Sequence, residues 1–376
     1  MVTDLDALSA ALGKRVDGLI GLASFPDARL TFQFSERKLV IEPKQKHSSP
    51  DETLDPWFRM RGGIPVVLAT LGDIEMDVGI DSGGDFGLRI GRALFDYLIV
   101  TGKMKVTGQG VLADAFGKLI GGPEGSLDEL SFGGHVYRNL RVKVGEGTVV
   151  LGIDILRHHE AVSFDFVNRV YQFGPELPEG AGAPGGFRDW LGLRLHSQER
   201  GRRFFAAVMD GTPVAKAGIK VGDETLSVDG FPVTEGPKIN EAIQTKGPKG
   251  IALVFEIKRD EKILTLKVTP FDFVKRYAAD MEAFAWPNLR GNAQSRNPDP
   301  YVSWLVSRAL KNHEDLKLNT LDQGFALSIA AHGREPGAGC DLARQLLAEG
   351  DRAGALDWVK LATESDSGEA WQLLGE

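Results

Sequence analysis

The residues best suited to chemistry lie in the stretch Val78-Gly79-Ile80-Asp81-Ser82-Gly83-Gly84, where a short apolar run ends on an aspartate followed by a serine and two glycines. An Asp in that setting has two readings. It can close a β-turn by accepting backbone amides with its own side chain, or it can be a carboxylate held at the tip of a strand to act as acid or base. Metal chemistry is a poorer prospect. The single cysteine, Cys340, cannot form a thiolate site alone, and seven scattered histidines give no ligand spacing such as H-E-x-x-H. His158, His159 and Glu160 are adjacent, and adjacent side chains diverge on an extended chain, so they read as solvated loop rather than ligands. No metal and no cofactor are expected.

The elements that must hold Asp81 are short, glycine-punctuated and β-like. Residues 18–43 can be laid over residues 149–175: Gly21 falls on Gly152 and, after a one-residue gap, Phe32, Phe34, Arg37 and Pro43 fall on Phe164, Phe166, Arg169 and Pro175. This is an internal duplication. Each copy ends in alternating residues on both sides of a turn, the pattern of a half-buried β-hairpin. The second copy can be followed back through three more β-like runs, so residues 63–175 read as one all-β lobe. Asp81 precedes Gly152 by 71 positions, whereas only 20 residues precede Gly21. The counterpart of Asp81 is therefore expected about 50 residues upstream of Met1, with residues 1–47 the remnant of a first lobe and 48–62 a linker.

"VGIDSGG" resembles the Asp-Thr/Ser-Gly motif of aspartic proteases, and "VVLGIDIL" followed by "VSFDF" resembles the closing segment of bacterial retropepsin-like and pepsin-like lobes. The resemblance implies an acid-protease β-barrel lobe with Asp81 as a catalytic carboxylate. Ser82 and Gly83 would fix it, by a side-chain hydrogen bond and by a tight turn that aims amides at its oxygens. It also implies a hairpin flap at "TGKMKVTGQGVLADAFGKLIGG". Peptide hydrolysis by this route needs two carboxylates sharing one proton, because at close range both cannot ionise. This sequence supplies one candidate, so either a second acidic motif lies upstream, or two chains pair, or the fold survives without activity. Asp154 falls in the segment that packs beneath the active turn in that family, and Asp165 is expected to point outward from its hairpin.

Residues 176–186, rich in Gly and Pro, read as a linker. Beyond them, residues 187–272 resemble a PDZ domain of the kind found with bacterial proteases, most specifically in "AGIKVGDETLSVDG". The resemblance implies peptide binding by strand addition. Leu191, Gly192 and Leu193 would form the loop that holds a terminal carboxylate, and Ile239 and Ile243 would line the groove or belong to the core. After a third linker, 273–297, the periodicity turns helical. Residues 298–376 resemble tetratricopeptide-type helix pairs, as an interaction surface for a protein partner or as a structural cap.

The architecture expected of these 376 residues is thus mostly β and multidomain, with an α-helical tail. Acidic residues outnumber basic ones, 52 to 44, and no basic run is dense enough for nucleic acid. No apolar stretch has the length to cross a bilayer, and the first 18 residues lack the pattern of a signal peptide. The compartment is open, periplasmic or secreted if a true start lies upstream. Two functions fit: a peptidase acting on polypeptides, or an inactive protease fold that, with the PDZ domain, binds C-terminal peptides or partner proteins.

Overall fold

The computed structural model describes residues 15–43, 56–84, 86–113, 119–147, 149–177, 193–197, 202–208, 211–271, 273–295, 298–312, 335–364 and 367–375, together with Leu5, Ser9, Leu191, Leu327 and Ala330. The chain divides into two units, one of Met1–Ile20, Val106–Glu124 and Gly185–Ala279, the other of Gly21–Lys105, Gly125–Pro184 and Asp280–Glu376. The fold is mostly β, with a helical C-terminal region.

In the second unit the duplicated stretches form one four-stranded sheet. Its strands are β1 (Ala28–Gln33) and β2 (Lys38–Pro43) from the first copy, and β11 (Ala161–Asp165) and β12 (Val170–Phe173) from the second, in the order β12-β11-β1-β2. Phe164 lies 132 positions beyond Phe32, and that one shift governs the whole sheet. It carries the pair Leu30↔Ile41 of one hairpin onto Val162↔Phe173 of the other. Thr31, shifted, becomes Ser163, and these two pair with each other between β1 and β11, so the pseudo-twofold axis passes through them. Both hairpin turns place an arginine in the left-handed region, Arg37 at φ 55° and Arg169 at φ 61°. This conformation is uncommon for any residue but glycine, and its recurrence at equivalent positions marks the two hairpins as copies of one structure.

The eight-stranded sheet contains β3 (Arg59–Arg61), β4 (Ile64–Leu71), β5 (Ile74–Ile80), β6 (Leu88–Ile90), β7 (Met104–Ala113), β8 (Leu119–Phe132), β9 (His135–Val144) and β10 (Val150–Leu151). Their order is β3-β4-β5-β10-β6-β9-β8-β7, and a further pairing of β4 with β8 closes it. Helix α1 (Arg92–Val100) follows β6, and the single turn α2 (Ile153–Leu156) follows β10. Alternation assigns the two faces of β5: Ile74, Val78 and Ile80 are buried in the lobe core, while Glu75 and Asp77 point the other way. Of the stretch 48–62 read as a linker, residues 48–55 lie outside the described residues and the remainder belongs to the lobe. Phe58 is buried, edge-on to Phe164 and Phe166, and β3 pairs with β4. Asp165, expected outward, is buried and caps its own turn by accepting from the amides of Val167 and Asn168.

The first unit has β13 (Leu193–Ser197), β14 (Arg203–Val208), α3 (Pro213–Lys216), β15 (Glu224–Val228), β16 (Phe231–Pro232), α4 (Gly236–Lys246), β17 (Leu253–Arg259) and β18 (Lys262–Val268). The order is β13-β14-β15-β17-β18, with β16 on β15, so β13 lies at an edge. Its core joins Phe205, Val228, Phe255 and Ile257 from the sheet to Leu191, Val214 and Ile239.

Helices α5 (Phe273–Ala293), α6 (Pro300–Asn312), α7 (Pro336–Glu349), α8 (Arg352–Thr363) and α9 (Gly368–Gly375) complete the chain. The long α5 corrects the reading of 273–297 as a linker. Ala285, Leu289 and Ala293 recur every fourth residue and are buried, a periodicity interrupted in the sequence by Pro287 and Gly291. Small residues let α7 and α8 approach closely, with Cys340, Ala343, Ala355 and Ala362 in one buried cluster.

This tail is docked on the β lobe. Helix α6 packs on α1, and α9 packs on β5 and β4. Such contacts suit a structural cap. Within the seam the Glu369 carboxyl is 4% exposed and pushed up to about 7, chiefly by burial and against the opposing pull of Arg344 at 2.6 Å. A raised carboxyl pKa means that the folded state holds a proton the unfolded chain has lost. The second unit should therefore gain stability as pH falls from about 7 to about 4.5, by about 3 kcal/mol at most from this group. Glu369→Gln should flatten that slope in denaturant titrations at the two pH values.

Candidate functional site

The turn that bears Asp81 is built on a two-residue strand. Val150 and Leu151 lie between β5 and β6, parallel to the first (Val150↔Gly79, Leu151↔Ile80) and antiparallel to the second (Val150↔Arg89, Leu151↔Leu88). The Asp81 amide donates to the Leu151 carbonyl at 2.9 Å, and the Gly84 amide donates to the Asp81 carbonyl at 3.1 Å. Below the turn the chain returns through Gly152, whose amide donates to the Gly87 carbonyl at 2.9 Å, and Ile153, whose amide donates to the Gly84 carbonyl at 2.9 Å. The crossing is so close that a Cβ on Gly152 would stand 2.0 Å from the Phe86 carbonyl oxygen. Glycine is required there by approach distance rather than by φ.

The Asp81 side chain is half-buried, and the Gly83 amide donates to its Oδ1 at 2.9 Å. Among the described residues no other group hydrogen-bonds this carboxylate. Ser82, half-buried beside it, makes no hydrogen bond among the described residues. Asp154 is held 2.7 Å from Arg141 and is mostly buried. The strands of the expected flap exist as β7 and β8, while its tip, 114–118, lies outside the described residues.

The pair His158-His159 departs from the expected solvated loop. His159 is fully buried: its Nε2 lies 2.8 Å from the Tyr137 hydroxyl and its Nδ1 3.0 Å from the Gly174 carbonyl. Its ring stands in an aromatic group with Phe173 and His135. Burial lowers the His159 pKa, favouring the neutral ring. Adjacent residues do diverge, and that sends one of the pair into the core.

One further property of the four-stranded sheet bears on the site. Ile41, Leu30, Phe164 and Tyr171 form one row across a single face. Toward β12 that row is covered by the lobe, with Tyr171 at 2% exposure beneath Phe132. Toward β2 it is open: Ile41 is 48% exposed and Leu39 47%. Leu39, the counterpart of Tyr171 under the 132-residue shift, is thus exposed where Tyr171 is covered. Gly21, the counterpart of Gly152, is likewise uncrowded, with nothing within 4 Å of a Cβ placed on it. Sequence reasoning paired the two glycines but could not foresee that only one stands in a tight crossing.

In the other unit, Leu191 is buried in the core and its carbonyl accepts from the Val214 amide at 3.3 Å. Gly192 and the side chain of Leu193 lie outside the described residues. On α4, Ile239 belongs to the core and Ile243 packs partly buried at its margin.

The sequence model of the family described as "PDZ domain" matches residues 190–269. Two solved structures are similar in part. One is the HtrA3 PDZ domain bound to a phage-derived ligand (FGRWV), at 21% identity, covering 22% of this chain and 83% of that one, with a TM-score of 0.19. The other is a retropepsin-like aspartic protease from Rickettsia conorii, at 17% identity, covering 27% of this chain and 75% of that one, with a TM-score of 0.20. No curated protein matches the sequence. Residues 190–269 form a PDZ domain.

Proposed function

We propose that the β lobe is one half of an aspartic peptidase in which Asp81 is a catalytic carboxylate, and that the PDZ domain selects the polypeptide to be cut. The observation that carries this reading is the geometry of the turn: a half-buried carboxylate at the end of β5, one oxygen held by the Gly83 amide and the other without a hydrogen bond among the described residues. With a second carboxylate in contact, one proton would be shared between the two. The ionised partner takes a proton from water as the water oxygen attacks the scissile carbonyl carbon, and the neutral partner gives its proton to the carbonyl oxygen. Collapse of the tetrahedral species then breaks the C–N bond, with a proton passing to the departing nitrogen.

On this reading the second acid would be carried by a β body over the open half of the four-stranded sheet. A β body over Leu39 and Ile41, seated as the lobe is seated over Tyr171, would cover the exposed apolar row and crowd Gly21 as Gly152 is crowded. The pseudo-twofold axis through Thr31 and Ser163 would relate its own acidic turn to that of Asp81. A second reading, a peptide-binding adaptor without catalysis, draws on a specific observation: no second carboxylate hydrogen-bonds to Asp81 among the described residues. Turnover of an unfolded polypeptide at acidic pH separates the two, since the adaptor binds without cutting.

For the PDZ domain, the edge position of β13 suits strand addition, and Leu191, Gly192 and Leu193 suit capture of a terminal carboxylate. A peptide with an apolar free C-terminus should bind, and amidating that terminus should weaken binding about tenfold or more. Ile243→Glu should weaken it by a similar factor, measured by fluorescence anisotropy. Equal binding of the acid and amide forms would place the contact elsewhere.

A further inference from the structure

The strand that delivers Asp81 is fastened by the tail at two points. At its start, the Arg308 guanidinium on α6 donates to the Asp73 carbonyl at 2.5 Å and pairs with the Asp73 carboxylate at 3.5 Å. The same guanidinium is held from behind by Asp341 on α7 at 2.9 Å. At mid-strand, Asp77 accepts from the Gly368 amide on α9 at 3.2 Å and pairs with Arg59 at 2.5 Å. Asp77 is four residues before Asp81, on the face of β5 turned away from the lobe core. The approach of α9 is close enough that a Cβ on Gly368 would stand 2.6 Å from the Asp77 carboxylate oxygen.

We infer that the helical tail is a positioning element for Asp81, with Gly368 and Arg308 setting the placement of β5 through Asp77 and Asp73. The physical reason is that a strand ending in a functional turn needs support on both faces, and here the lobe core supplies one and the tail the other. The inference for turnover rests on the catalytic reading of Asp81; the inference for the strand does not.

The test is Gly368→Ala in the full chain, followed by amide hydrogen exchange. Alanine favours a helix over glycine, so any loosening would come from the contact with Asp77 rather than from helix propensity. The reporters are the Gly79 and Asp81 amides, bonded to the carbonyls of Val149 and Leu151. Their exchange should quicken about tenfold, with PDZ amides such as that of Asp229 unchanged. In an Asp77→Ala background, where the oxygen that a Cβ would strike is gone, Gly368→Ala should add less than about twofold. Where turnover is measured, kcat should fall about tenfold with KM held within about twofold. Unchanged exchange at Gly79 and Asp81 while the tail's own amides quicken would overturn the inference. Should Gly368→Ala fail to fold, Arg308→Gln gives the same readings from the start of the strand. If Asp81→Asn leaves turnover intact, the catalytic reading falls and the exchange result still decides the role of the tail.

Discussion

Replacing Gly152 by alanine is expected to unfold the β lobe and spare the PDZ domain. The new Cβ would stand 2.0 Å from the Phe86 carbonyl oxygen and 2.8 Å from that of Gly84. Neither atom is the free end of a side chain; both belong to the backbone that supports the acidic turn. Relief would require the crossing of β10 beneath that turn to open, breaking the bonds from Gly152 to Gly87 and from Ile153 to Gly84. Overpacking with backbone displacement costs about 3 kcal/mol or more, a large share of a domain's stability. Gly21→Ala is the control, because its duplicate position meets nothing, and it should stay within about 0.5 kcal/mol. Denaturant unfolding followed by amide exchange in each unit checks both; equal costs at the two glycines would contradict the packing described for the turn.

The duplication was legible in the sequence because aromatic, arginine and proline positions recur at one spacing. Its meaning came from the sheet, where Thr31 meets Ser163 and a single shift of 132 residues relates both hairpins. The acidic turn was legible as a motif together with the Gly83 amide that meets its carboxylate, whereas the expected hydrogen bond from the Ser82 side chain is not seen among the described residues. Three contacts left no local mark. Phe58 reads as part of a polar stretch and is buried by residues more than 100 positions later. His159 follows the exposed-looking His158 into an aromatic group. Gly368 resembles any glycine opening a helix, although Asp77 explains its lack of a side chain. Distant partners set all three, and local periodicity carries no information about distant partners.

Asp81→Asn should remove peptidase activity and leave the fold and the PDZ domain as they are. Asparagine keeps the volume and can present its amide oxygen to Gly83, so the turn retains its hydrogen bond. On the proposed catalytic reading, what it loses is the ability to share a proton with a second carboxylate, and with it both acid and base action. Loss of a group in that role lowers turnover by about three orders of magnitude or more. On the proposed catalytic reading, turnover is expected in the acidic range. The decisive measurement is cleavage of an unfolded polypeptide by the full protein and by Asp81→Asn across that range, with peptide binding recorded alongside. Loss of cutting with binding intact is the predicted result; equal turnover by both proteins would contradict it and leave a module that grips peptides without hydrolysing them.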